Sequence, residues 1–290
     1  MYKIRHAEKL ADQIYLMDIE APYVARNCLP GQFIIIKIDE KGERIPLTIC
    51  DYDREKGTIT IVFQVVGASS YKLSLYNEGD SIEDFSGPLG TPCEFLNEDI
   101  DSLKKKKYLF VAGGVGAAPV YPQVKWFHQH GIKADVIVGS KRKDMLIMED
   151  ELKAVAGNLY VTTDDGSYGR CGMVTEVIKN LIEEEGKKYD HCVAIGPMIM
   201  MKFVCQLTKG YHLPTTVSMN PIMVDGTGMC GGCRLNVGDE VKFACVDGPE
   251  FDGHKIDFDL AMKRNQMYAP FEHNAQEHAK HKCRCCGGDE

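Results

Sequence analysis

Tyr108-Leu109-Phe110-Val111-Ala112-Gly113-Gly114-Val115-Gly116-Ala117-Ala118-Pro119 is the stretch on which the fold turns. Five consecutive apolar residues, 108–112, read as a strand buried on both faces. Glycines follow at once, and 120–130 then reads as a helix. A strand that breaks on glycines and opens a helix lets backbone approach a pyrophosphate, and the positive helix N-terminus attracts it. A glycine turn that merely packs helix on strand looks the same locally, so the surroundings decide. Downstream, 134–138 (ADVIV), 159–163 and 191–195 read as further strands, and 174–185 as a helix with an acidic exposed side. Strands alternating with helices imply a parallel sheet of the doubly wound type. Gly139 and Asp164 follow two of these strands. Gly196-Pro197-Met198 repeats the strand-then-glycine context after a third. The pattern stops near His212.

Before Tyr108 the rhythm differs. Short β-branched or aromatic stretches at 13–19, 32–38, 58–66 and 81–85 are separated by turn clusters at 39–44, 51–57 and 77–80. That spacing suggests a small barrel or sandwich. The charged stretch 97–107 reads as a surface connection. The expected division is a β-barrel over 1–100, an α/β domain over 101–212, a Gly- and Cys-rich region over 213–250 and a polar, partly helical tail over 251–290. The 290 residues suit about two domains at ~150 residues each. The net charge of −8 argues against nucleic-acid binding as the main task, since phosphate affinity comes largely from Lys and Arg. Residues 1–9 lack an apolar h-region, and the weakly polar run 108–122 is shorter than the ~20 residues of a membrane helix. A cytoplasmic protein without membrane contact is expected, and thiols there stay reduced.

Twelve cysteines therefore need an explanation other than disulfides. Tight spacing points to metal ligands. Cys230 and Cys233 are separated by two glycines, and Cys245 follows. Thiolates bind iron or zinc, and glycines permit a tight loop with backbone N–H contacts to sulfur. The C-x4-C-x2-C…C spacing of 2Fe–2S loops is met if Asp225 stands in the first place. A zinc ribbon usually presents a second CxxC, and none follows. A redox-inactive pair, and Asp225 as a loop residue bonding its own backbone, stay open. Cys28, Cys50, Cys93, Cys171, Cys192 and Cys205 read as buried free thiols. Cys283, Cys285 and Cys286 follow His273, His278 and His281 in the tail, a tract for metal or, more simply, for partner docking.

Gly114-x-Gly116-x-x-Pro119 and Gly196-Pro197-Met198 together resemble the ferredoxin-reductase-like flavoenzymes. With the cluster loop at the C-terminal end, the order of regions over nearly the whole chain resembles the dihydroorotate dehydrogenase electron-transfer subunit family. The resemblance implies NAD(H) at Gly113, Gly114, Val115, Gly116, Pro119, Gly139, Asp164, Gly196, Pro197 and Met198. It implies FAD on the barrel at Arg44, Ile45, Pro46, Leu47 and Thr48, at Val62, Phe63 and Gln64 through backbone, and at Gly67, Ser69 and Ser70 for the pyrophosphate. Thr48 is expected to hydrogen-bond near the reactive flavin nitrogen. The segment departs from the family's Arg-x-Tyr-Ser form: Leu47 takes the aromatic place, Arg44 falls one residue early, and Ser69-Ser70 replaces Gly-Thr. The resemblance also implies a 2Fe–2S cluster on Asp225, Cys230, Cys233 and Cys245. Asp225, the 44–48 segment and the 163–169 stretch look most like the NADH-dependent ferredoxin:NADP⁺ oxidoreductase branch. That branch implies a larger flavoprotein partner with a second FAD and 4Fe–4S clusters, electron bifurcation by the heterodimer, and ferredoxin reached through the partner. Electrons would pass from NADH to FAD to the cluster and on, or in reverse, with the protein supplying placement and potential. NAD(H) is preferred over NADP(H) although Ser140-Lys141-Arg142 could face a 2′-phosphate. The competing readings are a subunit serving dihydroorotate dehydrogenase itself, and a zinc-stabilised, non-catalytic binding module.

Overall fold

The computed structural model describes residues 1–285. Seven strands form the first sheet: β1 Tyr2–Ala11, β2 Ile14–Glu20, β3 Phe33–Lys37, β4 Arg44–Asp53, β5 Thr58–Gln64, β6 Ser81–Ile82 and β7 Asp84–Leu89. Their order is β6-β1-β2-β5-β4-β3-β7, and every pairing is antiparallel. The sheet curls into a near-closed barrel because alternate side chains point to one interior. Ile34, Ile36, Ile59, Ile61 and Phe63 are packed there with Ile4, Met17 and Ile19. β1 is absent from the sequence reading for a physical reason. Half of its residues face solvent, all of them charged or histidine, and Ile4 and Ala11 are the ones it buries, so its pattern is charged rather than apolar.

The second sheet begins at the quoted stretch: β8 Tyr108–Gly113, β9 Ala134–Ser140, β10 Asn158–Thr163, β11 Arg170–Cys171, β12 His191–Ile195 and β13 Thr215–Ser218. These run parallel in the order β11-β10-β9-β8-β12-β13. Both faces are covered, which is why β8 reads as a continuous apolar run. Phe110 and Ala112 face one core with Val120, Val124 and Phe127 of the helix Ala117–Gln129. Leu109 and Val111 face another with Val177, Met201 and Val204. The sheet does not end near His212, as the sequence suggested. β13 extends it, and β16, Glu250–Asp252, adds an antiparallel edge strand. Chain inside 213–250 and the first residues after it therefore complete the sheet. Between them lies the two-stranded hairpin β14 Arg234–Val237 and β15 Glu240–Phe243.

This C-terminal region ties the layers together. Cys233, Cys245, Leu235 and Phe251 share one core with Leu109 and Val111 of the parallel sheet and with Phe33 and Ile35 of the barrel. Thr91 N–H and Oγ1–H both donate to Gly248 O, at 2.7 and 3.0 Å. The helices Phe258–Asn265 and Ala269–Cys285 follow. The tail's Cys/His tract falls outside the described residues at Cys286, and outside the described side chains from His278 on.

Candidate functional site

The nucleotide elements meet at the carboxyl ends of the parallel strands. Gly113, Gly139 and Asp164 end or follow β8, β9 and β10, and Gly113 is paired with Gly139 in register. Gly196 follows β12, the other neighbour of β8. The chain order reverses between β8 and β12, and such a switch point is where open α/β sheets bind ligands. The two glycine segments touch. A Cβ on Gly116 would lie 2.1 Å from the Ile195 carbonyl oxygen, and one on Gly196 3.1 Å from Gly113 Cα. Val115 lies in the short turn Gly114–Gly116, and Pro119 sits in the first turn of the helix that follows, where its missing N–H costs nothing. Met198 opens the helix Met198–Gly210 and is buried. Asp164 N–H donates to Ser140 O at 3.0 Å, which fastens the loop after β10 to the end of β9.

On the barrel, β4 and β5 are paired from Ile49↔Ile61 to Asp53↔Thr58. Beyond that point they part. Arg44–Thr48 keeps pairing with β3, where Pro46 faces Ile35 and Thr48 faces Phe33. Val62, Phe63 and Gln64 keep pairing with β2. The two segments that sequence picked out thus flank one opening in the barrel wall, each with its ladder edge towards the other. Pro46 tolerates this place because an opened edge needs no N–H from it. Arg44 is exposed, while Ile45, Pro46, Leu47 and Thr48 are half-buried. Gly67 precedes the short helix Ala68–Leu73. The Ser70 hydroxyl is consumed there as a cap: it accepts from Val66 N–H at 2.9 Å and Gly67 N–H at 3.0 Å. Ser69 Oγ–H instead donates to Glu43 at 2.5 Å.

The cysteine loop is built by local geometry. The β14–β15 hairpin brings Cys233, just before it, beside Cys245, just after it, with the sulfurs 3.2 Å apart. Both are buried, whereas Cys230 is exposed. Asp225 Oδ2 accepts from Cys230 N–H at 3.0 Å, and Cys230 Sγ–H lies 3.4 Å from Oδ1. Thr227 N–H also donates to Asp225 at 3.1 Å, and this contact leads in holding the Asp225 pKa below its ordinary value. Both carboxylate oxygens are thus engaged within the loop, as expected of a residue bonding its own backbone, and the charged group stays a hard donor beside Cys230. Gly232 N–H points at Cys230 Sγ, and Cys245 N–H at Cys233 Sγ, each at 3.4 Å. Gly226, Gly228 and Gly231 hold φ of +76°, +86° and +65°, a region closed to most side chains. The four donors stand as two pairs, Asp225 with Cys230 and Cys233 with Cys245. Among the described residues no three such side chains are gathered tightly enough to hold a single metal ion. Thiols with N–H donors aimed at sulfur nonetheless fit an iron–sulfur cluster, whose several atoms span more than one ion does. The loop leans on the barrel: a Cβ on Gly226 would meet Ile35 Cδ1 at 2.4 Å and Leu89 Cδ1 at 3.0 Å. Ile35 is the residue paired with Pro46.

Residues 110–206 match the oxidoreductase NAD-binding domain, and residues 220–257 match the iron–sulfur cluster binding domain of dihydroorotate dehydrogenase B. A Thermotoga maritima homolog of the dihydroorotate dehydrogenase B (NAD⁺) electron transfer subunit is 46% identical over 90% of this chain and 89% of its own. The chain belongs to the dihydroorotate dehydrogenase B electron-transfer subunit family. The Fusobacterium nucleatum electron transfer subunit of that enzyme is 33% identical, covering 84% of this chain and 92% of its own. A solved chain from the NADH-dependent reduced ferredoxin–NADP oxidoreductase, a structure concerned with flavin-based electron bifurcation, is 43% identical. It superposes with a TM-score of 0.87 over 96% of this chain and 97% of its own. Phthalate dioxygenase reductase, 18% identical with a TM-score of 0.57 over 81% of this chain and 85% of its own, shares the fold.

As a member of this family the chain is an electron-transfer oxidoreductase subunit that works with a partner subunit. Its ferredoxin-reductase fold and matched regions are those of proteins that use FAD, NAD(H) and a 2Fe–2S cluster. No helix among the described residues is long and apolar enough to cross a membrane. Some neighbours of the family's site carry no sequence signal. Met200 packs against both Gly113 and Gly196. Lys125 reaches from the helix after the glycine loop to Asp51 of β4, at 2.7 and 2.8 Å. Cys50, Cys93, Cys192 and Cys205 are buried and burial pushes their thiols up, so these four are inert. Cys28 is buried likewise, but Cys171 is exposed, against the expectation of a buried thiol. It lies on the two-residue edge strand β11, both of whose residues are exposed.

Proposed function

We propose that the chain relays electrons between NAD(H) and a larger flavoprotein subunit, in the manner of the NADH-dependent ferredoxin:NADP⁺ oxidoreductase. The observation that carries this reading is the strand pair β3–β4. β4 borders the opening with Arg44–Thr48, and β3, paired to it, supports the cysteine loop through Ile35 opposite Pro46, so a flavin and a cluster would sit on either side of this pair. When bound, FAD takes up an electron pair as hydride and releases single electrons that a 2Fe–2S cluster can carry. Each residue set has its own task. Gly113, Gly114, Val115, Gly116 and Pro119 give backbone access to the nucleotide pyrophosphate, with Gly139, Asp164, Gly196, Pro197 and Met198 completing the nucleotide site. Arg44, Ile45, Pro46, Leu47, Val62, Phe63 and Gln64 hold the flavin ring, and Thr48 aims a hydroxyl at its reactive edge. Gly67 leaves open space for the flavin pyrophosphate, and Ser69 and Ser70 serve it through backbone, since both hydroxyls are already engaged. Asp225, Cys230, Cys233 and Cys245 hold the cluster. Residues 1–100, 101–212 and 213–250 then act as flavin, nucleotide and cluster regions, and, of 251–290, the part that follows the core residues Phe251, Phe258 and Ala261 acts as a partner-facing tail.

The partner in this reading carries a second FAD and 4Fe–4S clusters and hands electrons to ferredoxin in the cytoplasm. The names of the curated relatives favour a second reading, a partner that oxidises dihydroorotate. A zinc-stabilised binding module has no such support. The test is anaerobic purification of the natural complex. Expected are flavin absorbance, iron and sulfide in equal amounts on this chain, and a partner with 4Fe–4S clusters. A co-purifying FMN protein would give the dihydroorotate reading instead, and a colourless preparation would sink both. Asp225→Ser is expected to alter the cluster's spectrum or retention, and an unchanged cluster would remove Asp225 from the ligand set.

A further inference from the structure

The turn after β9 carries three cations in a row, Lys141-Arg142-Lys143. In doubly wound sheets this is the place that meets the adenosine ribose, and an arginine there accommodates a 2′-phosphate. NADPH differs from NADH by that phosphate, and a guanidinium fork matches it bidentately. In this chain the fork is already filled. Arg142 Nε and Nη2 each donate to one oxygen of the Asp144 carboxylate, both at 3.1 Å. The second cation is occupied as well: Lys143 Nζ lies 4.9 Å from the centre of the Tyr168 ring, and the Tyr168 hydroxyl donates to Glu149 at 2.9 Å. The turn itself is pinned by the following loop. Asp165 N–H donates to Lys141 O at 3.3 Å, and Lys143 N–H to Ser167 Oγ at 2.9 Å. Lys141 is exposed and has no ion pair among the described residues, but a lone ammonium is a point charge without the fork.

We propose that Asp144 is a specificity-determining residue: it occupies Arg142 and sets a negative charge where a 2′-phosphate would come, biasing the site towards NADH. The inference rests on the nucleotide site proposed above. The pair is exposed, at 56% and 64%, so it adds little to folding. Its effect falls on the ligand, because an arriving phosphate must displace a carboxylate and then lie beside a like charge.

The experiment is anaerobic stopped-flow reduction of the bound flavin in the purified complex, with NADH and NADPH, for wild type, Asp144→Asn and the double variant Arg142→Gln/Asp144→Asn. Asp144→Asn is expected to raise the NADPH:NADH ratio of second-order rate constants by about 3- to 10-fold, the scale of one exposed charge pair. The double variant is expected to lose that gain. A ratio in Asp144→Asn within about twofold of wild type, or a gain that survives in the double variant, overturns the proposal. Asp144→Ser repeats the test should the amide find new partners. The nucleotide reading fails separately, on wild type alone, if NADH does not reduce the flavin or NADPH reduces it faster.

Discussion

Glycines in the nucleotide loop do three different jobs, and the environment of each sets its sensitivity. A Cβ on Gly116 would fall 2.1 Å from the oxygen and 2.7 Å from the carbon of the Ile195 carbonyl, which are backbone atoms that cannot step aside. A Cβ on Gly113 would meet the Met200 sulfur, the movable part of a flexible side chain. Gly114 has open space around it but a φ of +55°, where an alanine costs about 1 kcal/mol. Gly116→Ala is therefore expected to cost about 3 kcal/mol or more and to abolish flavin reduction by NADH while the cluster spectrum persists. Gly114→Ala and Gly113→Ala should be milder. Denaturant unfolding and NADH titration of the three variants check the order. A Gly116→Ala protein as stable and as fast as Gly113→Ala would contradict it. The sequence identified these three positions together, because the strand-glycine-helix pattern is local. It could not rank them, since Ile195 and Met200 reach the loop from about eighty residues away in the chain.

At the scale of elements, the contact that matters most for geometry joins β4 to the helix Ala117–Gln129. β4 carries the proposed flavin segment, and the helix begins at the proposed pyrophosphate loop. Asp51 and Lys125 clasp across this junction with about 30% of each side chain exposed. Burial alone would lower the Lys125 pKa, but the Asp51 hydrogen bond and charge outweigh it, and the group ends above its ordinary value. Lys125→Met keeps the stem's packing and leaves the Asp51 carboxylate unmatched. It is expected to cost about 1–2 kcal/mol in stability. It should also slow flavin reduction by NADH several-fold with little change in NADH affinity, since the two sites would be intact but less firmly aligned. Rapid-mixing kinetics separate rate from affinity, and a pure loss of affinity would place Lys125 in the binding site rather than between sites. Nothing in the sequence marks this pair. Helix periodicity shows which face of a helix is polar, but it does not say which strand that face will meet.

For the molecule as a whole, the layers were legible and the joint between them was not. The parallel strands follow from apolar runs such as 108–112, and much of the barrel from β-branched stretches such as 58–64. β1 escaped notice because its outward residues are charged. The continuation of the sheet through Thr215–Ser218 and Glu250–Asp252 escaped because two short edge strands lie on either side of a glycine-rich loop. That joint contains an unusual acid. Glu250 Oε1 accepts from Gln123 Nε2 at 2.7 Å and from Cys93 Sγ at 3.3 Å, so barrel, nucleotide helix and C-terminal region meet at one carboxyl. It forms part of the wall of a cavity of ≈ 890 Å³ that is also lined by Glu94, Asp252, His191 and His254. Burial pushes its pKa up to about 7, against the hydrogen bonds from Cys93 and Gln123, and Glu94 adds to the rise. The unfolded chain releases this proton near its ordinary value of about 4.3. Below that value both states hold the proton and the contribution to stability is fully present. As pH rises towards 7 the unfolded state loses the proton first and gains relative to the native state, so the contribution is lost, and it stays lost above pH 7. Allowing for solvent in the cavity, the loss is about 1–2 kcal/mol. Glu250→Gln keeps an acceptor for Gln123 and cannot ionise. It is expected to be more stable than wild type by about that amount near pH 8, with the gap closing near pH 5. Denaturant unfolding at the two pH values measures this. A variant less stable than wild type by the same amount at both would mean that the acid's shape, and not its proton, holds the joint.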